Sequence, residues 1–174
     1  MWDFFETVRH RHSIRHYQKD MPVEPGKLHA LLEMAAAAPS AGDLQSYRII
    51  VVLNPDLRQA LSKAANHQAF ISDAPVCLVF CGDADRSEQT FGYRGRALFA
   101  LQDATIAASY VQLAAVAAGL GTTWVGDFDD KAVSTTLDLE SGLTPLALMS
   151  LGYAAETPED TPRRPLDEVV IYRR

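Results

Sequence analysis

Arg11-His12-Ser13-Ile14-Arg15 places two guanidinium groups, an imidazole and a hydroxyl within five residues, a donor set suited to holding an anion. Between residues 8 and 19 the chain carries Arg9, Arg11, Arg15 and Lys19 with three of its five histidines and no carboxylate, although the formal net charge of the 174 residues is −6. The positive charge is therefore local. Its natural partner is phosphate-sized, because arginine forks pair bidentately with phosphate oxygens and serine adds a further short donor. The competing reading is a solvated basic helix end, favoured by the helix macrodipole.

No other catalytic apparatus accompanies this cluster. There is no Gly-x-Gly-x-x-Gly after a strand, and Gly119-Leu120-Gly121 lacks the lysine of a nucleoside-triphosphate loop. Ser40, in Pro39-Ser40-Ala41, lacks the elbow context of a hydrolase nucleophile. His29 and His67 read as surface or core histidines, and no Cys-x-x-Cys pair suggests a metal, so none is expected. An acidic chain with one short basic patch makes a poor footprint for nucleic acid.

The elements that must position the cluster follow from periodicity. Phe4, Phe5 and Val8 predict an apolar face on a first helix capped by Asp3. Pro25 suits a helix start, and Leu28, Leu31, Leu32 and Ala35 recur at helical spacing until Pro39. The β-branched run over 47–53 predicts a central strand buried on both faces. Asn54-Pro55 caps a helix carrying Leu57, Leu61 and Ala64; 75–81, 122–126 and 145–151 are further strands; Asp129 or Asp130 opens a helix running to Leu137. Residues 168–172, Glu-Val-Val-Ile-Tyr, predict a terminal strand, which would add to a sheet because an unpaired edge is a liability. With 48% hydrophobic residues and no internal repeat, one domain over 1–174 is expected, an α+β sandwich with a mixed, mostly antiparallel sheet flanked by helices.

Residues 104–126 carry no charge and are long enough to cross a bilayer. The segment is mostly alanine and small polar residues and ends in Gly119-Leu120-Gly121, which argues for a buried helix instead. Cys77 and Cys81 lie four residues apart on one predicted strand, about 13 Å, too far for a mutual disulfide. Unpaired thiols and no secretory leader after Met1-Trp2-Asp3 suggest the cytoplasm.

Four blocks in order give the chain a resemblance to the FMN-dependent nitroreductase family. They are the 11–15 cluster; Ala38-Pro39-Ser40-Ala41-Gly42-Asp43-Leu44-Gln45-Ser46-Tyr47-Arg48 running into a strand; the long helix from Asp103 with Gly119-Leu120-Gly121-Thr122-Thr123-Trp124-Val125-Gly126; and Arg163-Arg164-Pro165-Leu166 in the tail. The resemblance implies an α/β/α homodimer whose C-terminal arm, 155–174, is exchanged between subunits. It implies FMN as cofactor, NAD(P)H as electron donor and a nitroaromatic, quinone or similar acceptor in ping-pong. It implies that Arg11, His12 and Ser13 bind the flavin phosphate and ribityl chain, and that Arg15 supports charge at flavin N1 and O2. Pro39, Ser40 and Ala41 lie against the ring from the other subunit, with Asp43 and Gln45 nearby. Gly126 and Asp127 approach flavin N5, which carries the chemistry, and Arg163 or Arg164 meets the phosphate.

The chain departs from the family pattern at three places. Asp43 stands where the family has asparagine, Ser46-Tyr47 replace proline-tryptophan, and 82–101 is a short connection where larger members insert a helical excursion. A carboxylate near the ring lowers the reduction potential, which leaves a non-catalytic flavin-binding or sensing protein as the alternative. Specialised dehalogenase, dehydrogenase or flavin-destroying chemistry on the same fold is also open.

Overall fold

The computed structural model describes residues 2–158 and 161–174. Its helices, in chain order, are α1 Phe4–His10, α2 Pro25–Ala36, α3 Pro55–Ala64, α4 Phe70–Asp73, α5 Ala84–Arg94, α6 Ala100–Ala117, α7 Asp130–Thr136 and α8 Leu166–Val169. The strands β1 Tyr47–Val52, β2 Val76–Asp83, β3 Gly121–Val125 and β4 Leu143–Gly152 form one sheet in the order β1-β2-β4-β3, each neighbouring pair antiparallel. The mixed character comes from a parallel bridge between Ser13 and Thr122.

The period-two alternation of β2 divides the interior into two layers. Val76, Leu78 and Phe80 face α2 and α6, together with Ala147, Met149 and Leu151 of β4. Cys77, Val79 and Cys81 face the opposite side, against Leu61 of α3, Ile71 of α4 and Val133 of α7. A strand buried on both faces reads as an unbroken apolar run, and β2 is that strand. This corrects the expectation for 47–53: β1 is an edge strand whose Arg48 is exposed and whose Ile49, Ile50 and Val51 are half-buried. β-branched runs satisfy either environment, so composition alone did not separate edge from centre.

Helix starts agree with the sequence. Asp3 accepts from Glu6 N at 2.8 Å, Asn54 from Asp56 N at 2.8 Å ahead of Pro55, and Asp129 from Ala132 N at 2.9 Å. The apolar face of α1, by contrast, is not covered within the chain: Phe4 and Phe5 are 65% and 69% exposed, and the buried residue is Thr7, which bonds back to Asp3 O. Of the 82–101 connection, Gly82 and Asp83 end β2 and the rest is helical, α5 followed by a π turn over Gly95–Phe99 that leads into α6. The terminal strand is replaced by α8, where Arg164 and Glu168 pair one turn apart, and 170–174 has no regular structure. Pro165 opens this turn, and Ile171 and Tyr172 beyond it stay exposed.

Among the described residues no helix is long and apolar enough to cross a membrane. Cys77 and Cys81 are free and buried, and burial pushes their thiols up, to about 12 and about 11. In the native protein at pH 8 neither should react with iodoacetamide on a timescale that labels both after denaturation. Folded values above the unfolded one mean that the stabilisation is fully present below the ordinary thiol pKa of 9.0 and is lost as pH rises towards 12. Urea midpoints measured between pH 8 and 11.5 should therefore fall, and by less in Cys77→Ala than in the parent once the loss at pH 8 is subtracted.

Candidate functional site

The basic segment has no secondary structure of its own and is threaded onto the sheet. Ile14 N donates to Thr122 O at 3.0 Å and Thr123 Oγ1 donates to Ile14 O at 2.5 Å, which binds the strand-like stretch to the end of β3. Gln18 N donates to Tyr153 O at 2.9 Å and Ala155 N to His16 O at 2.8 Å, which fixes the other end beyond β4. Between them Tyr17 is buried, with its hydroxyl 2.7 Å from Ser150 Oγ, and burial pushes its phenol well above the usual range despite that bond and one to Thr123. Gly121 makes the close approach possible: a Cβ there would stand 2.6 Å from Cγ1 of Ile14.

Along this thread Ile14 and Tyr17 are buried, while Ser13 is half-buried and Arg15 and His16 are exposed. Ser13, Arg15 and His16, with Arg11, His12 and Arg163, line one cavity of about 470 Å³, closed by Glu156, Pro158 and Thr161. The structure thus joins a segment at residues 11–16 to one 147 residues later in sequence; of the two tail arginines, Arg163 lines the cavity and Arg164 is turned to the carboxylate and main-chain carbonyl of Glu168. Glu156 is a participant that sequence inspection missed. Its Oε1 accepts from Arg15 N at 2.5 Å and His16 N at 3.1 Å, and its Oε2 lies 3.7 Å from His16 Nε2. It thereby fixes the main chain that carries Arg15, whose guanidinium lies 6.0 Å from the Phe70 ring centroid. An acid just beyond a strand, among prolines, carries no signal of such a role.

Pro39, Ser40 and Ala41 are elsewhere. They line a second concavity of about 660 Å³ with Leu98, Phe99, Leu101, Gln102, Thr105 and Ile106 near the start of α6. Asp43 and Gln45, exposed, follow in the same loop. Gly126 and Asp127 sit at the end of β3, also exposed, with Asp127 Oδ2 accepting from Asn66 Nδ2 at 3.1 Å. A Cβ on Gly126 would meet only Trp124 Nε1 at an ordinary 3.6 Å, so nothing within the chain demands glycine there. No group of three or more metal-ligating side chains is gathered among the described residues.

The model of the nitroreductase family matches residues 8–69 and 62–153. The chain belongs to this family. It is 35% identical to the NADH dehydrogenase of Thermus thermophilus, across 94% of this chain and 92% of that one. It is 31% identical to the oxygen-insensitive NADPH nitroreductase of Salmonella typhimurium, across 91% and 68%. Among solved structures, the NADPH:FMN oxidoreductase of Vibrio harveyi complexed with NAD+ superposes with a TM-score of 0.90 at 28% identity, covering 98% of this chain and 77% of that one.

This nitroreductase-family chain therefore has the fold its four sequence blocks implied, with the cationic cavity set against one end of the sheet and the 39–46 loop beside α6. Gly121→Ala should cost about 1–3 kcal/mol by forcing Ile14 away from β3, as overpacking does. Ile14→Ala, which removes the Cγ1 and Cγ2 that the new Cβ would meet, should cost less in the Gly121→Ala background than in the wild type, measured by urea unfolding.

Proposed function

We propose that the chain is an FMN-dependent oxidoreductase that passes two electrons from NAD(P)H to a nitroaromatic, quinone or similar small acceptor. The observation that carries this is the cavity in which Arg11, His12, Ser13, Arg15 and Arg163 converge. Three guanidinium groups and a hydroxyl suit a phosphomonoester, and fixed forks hold it bidentately. The names of the relatives, NADH dehydrogenase, NADPH nitroreductase and NADPH:FMN oxidoreductase, support the same assignment.

FMN, when bound, supplies a ring that accepts hydride and passes the electrons on. The chain's own residues bind and orient. Arg11, Ser13 and Arg163 hold the phosphate, with His12 beside them; Arg164 is the alternate should the tail shift. Arg15, set by Glu156, puts positive charge where reduction concentrates electron density at N1 and O2. Gly126 and Asp127 would offer main chain to the ring, and the absence of a Cβ at Gly126 would leave room for it. Donor and acceptor occupy the same face in turn, which gives ping-pong kinetics.

The functional unit in this reading is a homodimer. Pro39, Ser40, Ala41, Asp43 and Gln45 complete the site of the second copy, since they lie in a different concavity from the cationic cavity of their own chain. Support for a second copy comes from Trp2, Phe4, Met34 and Tyr110, which border an apolar groove beside α6, and from the uncovered Ile171 and Tyr172 of the tail. In this reading 1–174 is one FMN-binding domain, the arm 155–174 leaves Glu156 and Arg163 in its own chain's cavity and reaches the other subunit with its end, and the buried free thiols suit the cytoplasm.

Purified protein should be yellow and release FMN, not FAD, on denaturation; a colourless preparation that takes up no added FMN contradicts the assignment. Arg11→Ala should weaken FMN binding by about 1.5–3 kcal/mol, measured by fluorescence titration, as for a lost charge-assisted hydrogen bond. Asp43 tests the ring's surroundings. At an effective dielectric near 20, a unit charge ~6 Å away contributes roughly 2–3 kcal/mol, and about 30 mV corresponds to 1.4 kcal/mol for a two-electron couple. Asp43→Asn should thus raise the two-electron potential by tens of millivolts in spectroelectrochemistry, and equal potentials would remove Asp43 from the site.

A further inference from the structure

The 39–46 loop holds a backbone that few sequences adopt unaided. Gly42, Asp43 and Gln45 all lie in the left-handed region, with φ of 56°, 55° and 46°, and side-chain-bearing residues enter it only where their surroundings over-determine them. Bonds inside the loop shape it without anchoring it: Asp43 N donates to Ser40 O at 3.2 Å, Leu44 N to Ala41 O at 3.2 Å and Gln45 N to Ser40 Oγ at 3.0 Å. On the exposed side Arg86 Nε of α5 reaches Leu44 O at 2.6 Å, and the ring of Phe91 closes over Gly42, where a Cβ would stand 2.9 Å from its Cζ.

The buried anchor is Asp103 of α6, which is 2% exposed. Its Oδ1 accepts from Ala41 N at 2.9 Å and its Oδ2 from Ser46 N at 3.3 Å, so one carboxyl group grips the loop on either side of its three left-handed residues. Burying a carboxyl group is unfavourable unless its oxygens find donors, and here both donors are loop amides. Asp103 also borders the concavity that Pro39, Ser40 and Ala41 line.

We propose that Asp103 is a positioning residue: by gripping Ala41 N and Ser46 N it holds the 39–46 loop in the conformation that faces cofactor and acceptor. This rests on the proposed function for what the loop faces, but the grip itself does not depend on FMN. Asparagine at 103 offers one acceptor oxygen where aspartate offers two, so one of the two amides is left facing an N–H donor.

Two measurements on the full-length protein decide it. In the wild type, amide hydrogen exchange at Ala41 and Ser46 should be at least a hundredfold slower than in an unstructured chain. In Asp103→Asn, exchange at one or both should accelerate about tenfold or more, the order expected when one buried partner is lost. FMN dissociation should rise by a similar factor, with a changed visible circular dichroism of the bound flavin. Unprotected amides in the wild type overturn the proposal, as does an Asp103→Asn protein that melts earlier yet binds FMN with unaltered affinity and spectrum, since that is a purely structural role. Should the variant fail to fold, the wild-type exchange rates alone support or overturn the grip. Wild-type protein that takes up no FMN overturns the proposed function instead, and the exchange rates still decide whether Asp103 anchors the loop.

Discussion

The main-chain pairing of residues 13–18 with Thr122, Tyr153 and Ala155 is the constraint on which the rest of the site depends. A flexible segment with this many arginines and histidines would spread its charge into solvent, and each side chain would lose rotamer freedom on capturing an anion. Pinned at both ends, the segment sends Ile14 and Tyr17 into the core and leaves Arg15 and His16 exposed between them. Glu156 reinforces this by taking the two consecutive amides of Arg15 and His16. The cavity is thus a product of backbone hydrogen bonding more than of charge.

The two concavities have opposite characters. One is lined by guanidinium, imidazole and hydroxyl groups, the other mainly by apolar side chains near the start of α6. A flavin nucleotide has the same duality, an anionic end and a planar, weakly polar ring. Separation of the two surfaces on one chain gives physical sense to pairing two copies, because each copy then lends its apolar wall to the other's anion cradle. The covering of Phe4, Phe5 and Tyr110 would follow from the same contact.

Much of this was legible in the sequence because local rules govern it. Asp3, Asn54-Pro55 and Asp129 announce helix starts through bonds within three residues, and the alanine-rich stretch forms the expected helix, buried on one face with Leu101 and Tyr110 exposed on the other. The chemistry of the 11–15 cluster followed from residue type alone. What was not legible depends on partners distant in sequence. Which strand is central is decided by neighbours, so β1, expected at the centre, lies at the edge; the terminal run of Glu168 to Tyr172 needs an edge to pair with to become a strand, and here it holds α8 and an irregular end. Glu156 and Asp103 act on amides rather than on charges, and amides leave no trace in a sequence. Asp103 had one visible sign, as the last acid before 23 uncharged residues in a buried helix and its turn.

The threading of residues 13–18 also bears on how the protein is made. Its partners are Thr122, Thr123, Ser150, Tyr153, Ala155 and Glu156, and the cavity closes only with Arg163. During synthesis residues 13–18 therefore cannot find their places until a stretch more than a hundred residues later has joined the chain. Non-local pairings of this kind are slow to form and leave surface exposed while they wait. A nascent chain holds its basic segment free until residues 122–163 have followed, so cofactor capture is confined to chains that have completed their sheet.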